Sequence, residues 1–277
     1  MTKKKRSAVL FILLTALAAL FLFPIFIVFL NSFKTKFSIM GTPFKFPTSE
    51  TFAGFENYVS GVKSAGIAAA FGRSLFITVL SVLVLALLTS MTAWYVVRVK
   101  TAVTRIIYGT FLFSMIVPFQ MVMYTMTYVV TKIRFNNPIG IIFVYLGFGA
   151  GLSVFMLSGF VKSIPLELEE AAEIDGCNPV QKFFMIVFPI LKPTAITVTI
   201  LNAMWIWNDY LLPYLILGTS NKTLPVAIQI AMQGAYGAVN WGGFMAMLVL
   251  AILPIIVFYL FCQKYIIEGV IAGAVKG

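Results

Sequence analysis

Six runs of roughly 21 to 25 residues hold a single charged side chain between them, Asp209. The runs are Ala8–Leu30, Ser74–Val97, Ile106–Val130, Ile139–Val161, Thr194–Leu217 and Gly243–Gln263. About 20 apolar residues in a helix cross the hydrocarbon core of a bilayer. A segment in lipid must satisfy its own backbone hydrogen bonds, so each run is expected to be a helix. The chain is therefore predicted to be an all-α membrane protein with six transmembrane helices in a single domain, residues 1–277.

Composition agrees: 61% of residues are hydrophobic and 10% charged, where a soluble domain carries about 25% charge. There is no histidine, which removes the usual general base and metal ligand, so no metal site and no enzymatic centre are expected. In so apolar a chain the net charge of +11 reads as a topology signal and a lipid bilayer contact, with no nucleic acid as partner. The first run follows Lys3, Lys4, Lys5 and Arg6; it is longer than a signal-peptide core and lacks a clear cleavage site, so it is expected to stay as the first span. Cys177 and Cys262 are expected to be reduced thiols.

With the N-terminus in the cytoplasm, twelve Lys and Arg fall inside and eight outside, as the positive-inside rule favours. Six spans then bring the C-terminus inside as well. The expected location is the cytoplasmic (inner) membrane of a bacterial cell, with both termini cytoplasmic.

Between the fourth and fifth spans lies one long charged segment, Ser163 to Pro193. It holds five of the nine acids: Glu167, Glu169, Glu170, Glu173 and Asp175. Pro165 suits a first helical position, and the glutamates after it favour the positive end of the helix dipole. Gly176 suits a left-handed C-terminal cap. Asn178 and Pro179 suit a new N-cap and first position. The spacing predicts two short helices around a bend, the second stopping near Pro189 and Pro193. Asp175 at a helix C-terminus opposes the dipole, which points to a basic partner outside the helix.

Asp209 should face the protein interior or a water-filled cavity, because a charge in lipid is costly. Asn202, Trp205, Asn208 and Asp209 in span five, with Gln120 and Tyr124 in span three, are candidate groups of a translocation path. Aromatic faces with amides suit sugar rings; the same residues suit hydrogen bonding between helices and an outer aromatic belt. Pro118 can break span three beside a cavity. The first outer segment, 31–73, contains Asn57-Tyr58 and a small-residue run, 65–70, that could lie as a short surface helix. The last outer connection, 218–242, carries Gln233, Tyr236, Asn240 and Trp241, groups that can meet a soluble partner or simply be solvated.

Glu170-Ala171-Ala172, three residues, Gly176, nine residues, Ile186, one residue, then Phe188-Pro189 resembles the EAA loop of permease subunits in ABC importers. The family's usual ending is Ile-x-Leu-Pro, and Phe188 replaces that leucine. Asn57-Tyr58, Trp207-Asn208-Asp209, Leu224-Pro225, Trp241-Gly242 and the terminus 269–277 resemble the smaller, maltose-type permease of carbohydrate uptake, so the likeness spans the chain. It implies a type I ABC importer permease fold with a cytoplasmic coupling helix between helices four and five. Glu170, Ala171, Ala172, Asp175, Gly176, Ile186 and Pro189 would meet an ATPase, the alanines by seating deeply and Gly176 by allowing the bend. Gly273, Ala274, Val275, Lys276 and Gly277, in a tail from 264 to 277, would reach the same ATPase.

The chain has no G-x-x-x-x-G-K-[ST] loop of its own, so no cofactor is expected on it, and ATP and Mg would sit on the partner. The implied partners are a second homologous permease, two ATPase subunits, an extracellular solute-binding protein and a sugar. A permease of the same superfamily for a peptide, polyamine or glycerol phosphate stays open. So does an ion-coupled secondary transporter, for which Asp209 is the one intramembrane acid.

Overall fold

A computed structural model describes residues 3–233 and 239–274, and the side-chain surroundings of 7–63, 66–233 and 239–265. Regular structure there is helical, and one isolated bridge pairs Lys34 with Phe52. The helices are α1 (Lys3–Asn31), α2 (Lys36–Gly41), α3 (Glu56–Ala65), α4 (Ile67–Arg98), α5 (Ala102–Ser114), α6 (Phe119–Lys132) and α7 (Gly140–Val161). Then come α8 (Glu167–Ile174), α9 (Pro179–Lys182), a π-helical turn (Phe183–Val187), α10 (Phe188–Asn208), α11 (Leu211–Leu217), α12 (Leu224–Gln233) and α13 (Trp241–Ala274).

Among the described residues, five helical stretches are long and apolar enough to cross a membrane: Ser7–Asn31, Ile67–Arg98, Gly140–Val161, Pro179–Asn208 and Trp241–Tyr265. The pair α5 and α6 passes the same test only when taken together, and it is bent by 109° at its break, as a broken span or a re-entrant loop is. The protein is thus a multi-pass α-helical membrane protein. The expected single third span is corrected to this broken pair. Pro118 sits at the N-cap of α6 in extended backbone, and its ring disfavours helical conformation for the residue before it, which ends α5 short of it.

Other boundaries also move. Span two begins at Ile67 and not Ser74, so the run 65–70 forms no separate helix. The short helix lies earlier, in α3, and ends on Gly66 in left-handed conformation. Span five ends at Asn208, with α11 a separate helix. Pro189 and Pro193 do not stop the helix after the bend. Phe183–Val187 widens into a π-turn, with the Phe188 amide donating to the Phe183 carbonyl, which makes room for a proline that lacks its own donor and crowds the turn before it. The last helix runs on to Ala274, past the expected end at Gln263.

The chain divides into two compact units. In the first, Met1–Ala70 with Ala227–Ile256, the outer segment is held by buried polar groups. The Asn57 amide donates to the carbonyls of Ser32 and Lys34, at 2.9 and 2.8 Å. The buried Lys34 ammonium donates to the Thr42 carbonyl at 2.9 Å. Gly242 lies so close to Asn57 that an added Cβ would come within 2.2 Å of its Oδ1.

The second unit, Phe71–Val226 with Val257–Gly277, holds two apolar clusters. One gathers Ile77, Leu85, Ile141, Tyr145, Ile206 and Ile216. The other gathers Ala93, Leu157, Val161, Phe183, Val187 and Leu191, and it anchors the charged segment to the helices on either side.

Candidate functional site

The bend at 174–179 has the geometry its residues dictate. Gly176 adopts φ +83°. Its amide donates to the Glu173 carbonyl at 3.0 Å, and the Cys177 amide to the Ala172 carbonyl at 2.9 Å. These two bonds close α8 as a Schellman motif. An added Cβ at Gly176 meets open space, so the demand for glycine comes from backbone conformation alone. Asn178 then caps α9: its Oδ1 accepts from the Gln181 amide, and the Gln181 side chain accepts from the Asn178 amide, both at 2.9 Å. Pro165 is not the first helical residue; it precedes the N-cap Leu166, and the acidic first turn is Glu167, Glu169 and Glu170.

One face of α8 turns inward. Glu169 is only 4% exposed, and Ala172, one turn later, is buried too. The Glu169 carboxylate accepts from Arg98 Nε at 2.7 Å on one oxygen and from Trp94 Nε1 at 2.9 Å on the other. Arg98 Nη2 also donates to the Ile164 carbonyl at 2.9 Å. Trp94 packs on Phe183, centroids 5.6 Å apart. Lys182, itself buried, pairs with Glu173 and so links the two arms of the bend. α8 is thereby fastened to the end of α4, and the arm beyond the bend to the α8 arm. From Pro179 the helical path continues to Asn208, about 45 Å at 1.5 Å per residue.

The other face is bare. Ile174, at the bend, is 87% exposed, and Leu166, Val180, Phe184 and Met185 are exposed as well. Glu170, Ala171, Asp175, Gly176 and Pro189 lie on the open surface and Ile186 is half-buried. Ala172 is the correction: it seats against the chain's own core, because residues 169 and 172, three apart, share one face of the helix. Glu169 was missed although its signal was present, namely its spacing from the small Ala172. Trp94, Arg98 and Tyr145 carried no comparable signal, because their partners lie in distant elements.

The second cluster lies around the break after α10. Asp209 Oδ2 accepts from the Tyr145 hydroxyl at 3.0 Å, and Oδ1 accepts from the Leu211 and Leu212 amides at 3.1 and 3.4 Å. The carboxylate caps α11 and ties it to α7. Trp205 meets Tyr145 edge to face, centroids 5.4 Å apart. Asn202 donates to Ser153 Oγ at 3.1 Å and to the Val198 carbonyl, so it joins α10 to α7 and is buried between them. Asn208 is exposed and bonds back to Met204. Gln120 and Tyr124 are exposed on α6.

In the first unit, Gln233 is exposed at the end of α12. Asn240 accepts from the Gly243 amide at 3.1 Å at the start of α13, and Trp241 packs on Phe244. Tyr236, Val275, Lys276 and Gly277 lie outside the described residues; Gly273 and Ala274 end α13. No group of three or more metal-ligating side chains occurs among the described residues.

A family model described as "Binding-protein-dependent transport system inner membrane component" matches residues 86–271. The chain is 40% identical, over 94% of its length and 93% of the relative's, to the probable starch degradation products transport system permease protein AmyC of Thermoanaerobacterium thermosulfurigenes. It is 35% identical, over 96% of both chains, to the multiple sugar-binding transport system permease protein MsmG of Streptococcus mutans. Among solved structures, one chain of a bacterial ABC transporter that imports the acidic polysaccharide alginate superposes with a TM-score of 0.79 and 23% identity. That match covers 96% of this chain and 98% of the other, and it establishes the fold.

Proposed function

We propose that this chain, which belongs to the family of binding-protein-dependent transport system inner membrane components, is the permease subunit of an ATP-driven importer of sugars and oligosaccharides. One observation carries the reading. The segment 163–193 is fastened to the chain on one face through Glu169, Arg98 and Trp94, and leaves an apolar tip, Ile174, bare on the other. A segment of this kind passes on displacement. Force applied at the bend reaches the membrane interior along Pro179–Asn208 and ends at Asp209, where the helix breaks.

In this reading the chain forms half of the pathway, and a second homologous permease forms the other half. Two copies of an ATPase, which hold the ATP and Mg, dock on the bent segments. An extracellular solute-binding protein delivers the sugar at the outer loops. Both relatives named above are sugar or starch-product permeases, which supports a saccharide as cargo. The membrane would be the bacterial inner one, with both termini cytoplasmic. Asp209 is committed to Tyr145 and to capping α11, which leaves the ion-coupled alternative without a free intramembrane acid among the described residues.

The test is uptake of labelled maltodextrin, and of a panel of other oligosaccharides, into vesicles carrying the assembled complex. Uptake that needs both internal ATP and the solute-binding protein supports the proposal. Uptake without ATP that follows an ion gradient overturns it.

A further inference from the structure

A cavity of about 540 Å³ opens where three apolar helices end together. It is bounded by the last residues of α4, the first turns of α5 and Lys162 just past α7. Four cationic side chains line it: Arg98, Lys100, Arg105 and Lys162. Arg98 is already neutralised by Glu169. Among the described residues, Lys100, Arg105 and Lys162 have no carboxylate partner. Lys162 instead stands over the Tyr108 ring, 5.9 Å from its centroid.

Three unpaired like charges around one cavity repel each other, and an anion placed between them relieves that repulsion. The 13-residue α5 adds the positive end of its dipole, because it begins at Ala102 on the same wall. The walls beside the charges are apolar, with Val96 and Val97 lining the cavity and Val103 and Ile106 exposed on α5. A ligand with a phosphate head and hydrocarbon tails matches both parts, whereas a soluble phosphate uses only the first. Basic pockets between transmembrane helices at the membrane surface bind anionic headgroups on these grounds.

We infer that this cavity binds the headgroup of an anionic phospholipid, with Lys100, Arg105 and Lys162 on the phosphate and the acyl chains against α5. The bound lipid would sit one side chain away from the Arg98–Glu169 pair that fastens the bent segment, so its occupancy would bear on the same joint.

The experiment is native mass spectrometry of the complete transporter with added phosphatidylglycerol or phosphatidylcholine. Wild type should retain phosphatidylglycerol about tenfold better than phosphatidylcholine. Changing Lys100→Gln, Arg105→Gln and Lys162→Gln together should abolish the difference, while Lys100→Arg with Lys162→Arg should keep it. Equal retention of the two lipids by wild type, a measurement that needs no variant, overturns the inference. So does a preference that survives the triple glutamine change. Displacement of phosphatidylglycerol by millimolar inorganic phosphate gives the cavity to a soluble anion and also overturns the lipid assignment.

Discussion

Arg98 at the end of α4 and Glu169 in the first turn of α8 are 71 residues apart in sequence and 2.7 Å apart in space. With Trp94 on the second oxygen and the Ile164 carbonyl on the guanidinium, both carboxylate oxygens and two of the three guanidinium nitrogens have partners. Together with the apolar cluster around Phe183, the pair holds the charged segment against the helices on either side.

Glu169→Leu alone leaves a largely buried guanidinium without its counter-charge. Breaking a buried pair from one side costs about 3–5 kcal/mol, whereas replacing both partners by apolar groups is close to neutral. The expected result is a lowered melting temperature for Glu169→Leu and a partial recovery when Arg98→Leu is added. Simple additivity of the two changes, measured by thermal melts of the purified complex, would show that the pair does not fasten the segment.

Gly176→Val forces a β-branched residue to φ +83°, where a left-handed conformation costs about 1–2 kcal/mol for an ordinary residue and more for a branched one. Gly176→Asn tolerates the same conformation far better. The valine variant should insert normally but retain little ATPase on affinity purification, and the asparagine variant should retain most of it. If both hold the ATPase as wild type does, the bend is not what the partner grips.

Much of this architecture was legible in the residues, and the gaps have physical causes. The spans were visible because charge is excluded from lipid, and the bend because Gly176 tolerates left-handed backbone, Asn178 suits an N-cap and Pro179 suits the first helical position. Pro118 marked a break without its 109° angle, which packing sets. No residue type encodes a π-turn, so Pro189 looked like a terminus when Phe183–Val187 had already made room for it. Glu169 and Glu170 are chemically alike; the spacing of Glu169 from the small Ala172 favours it as the inward one, but Arg98 and Trp94, which hold it there, are not connected to α8 by sequence spacing.

Asp209 is held by the Tyr145 hydroxyl and by two amides of α11. Asn at this position keeps an oxygen for the amides and turns its Nδ2 to donate to the Tyr145 hydroxyl oxygen, so uptake by Asp209→Asn should stay within about threefold of wild type. Asp209→Ala removes the cap and leaves the buried hydroxyl unpaired, a loss of about 1–3 kcal/mol, and should lower both stability and uptake. A large loss of uptake in Asp209→Asn at unchanged stability would instead give the carboxylate a direct part in transport.

Ile174 is the most exposed large apolar side chain of the bent segment, at 87%, and nothing in the chain's own fold needs it there. On the proposed reading, the ATPase covers this side chain at the tip of the fastened segment. Fully burying such a side chain is worth about 1.5–3 kcal/mol, or roughly ten- to a hundredfold in affinity. Ile174→Glu removes that gain and also places a charge beside Glu173 and Asp175 without disturbing α8, whose buried face is Glu169 and Ala172. The variant should therefore melt like wild type and reach the membrane in full, yet lose the ATPase during purification and lose uptake with it. Ile174→Leu, which keeps the apolar volume, should retain both. Normal ATPase retention by the glutamate variant would place the contact on another face of the segment.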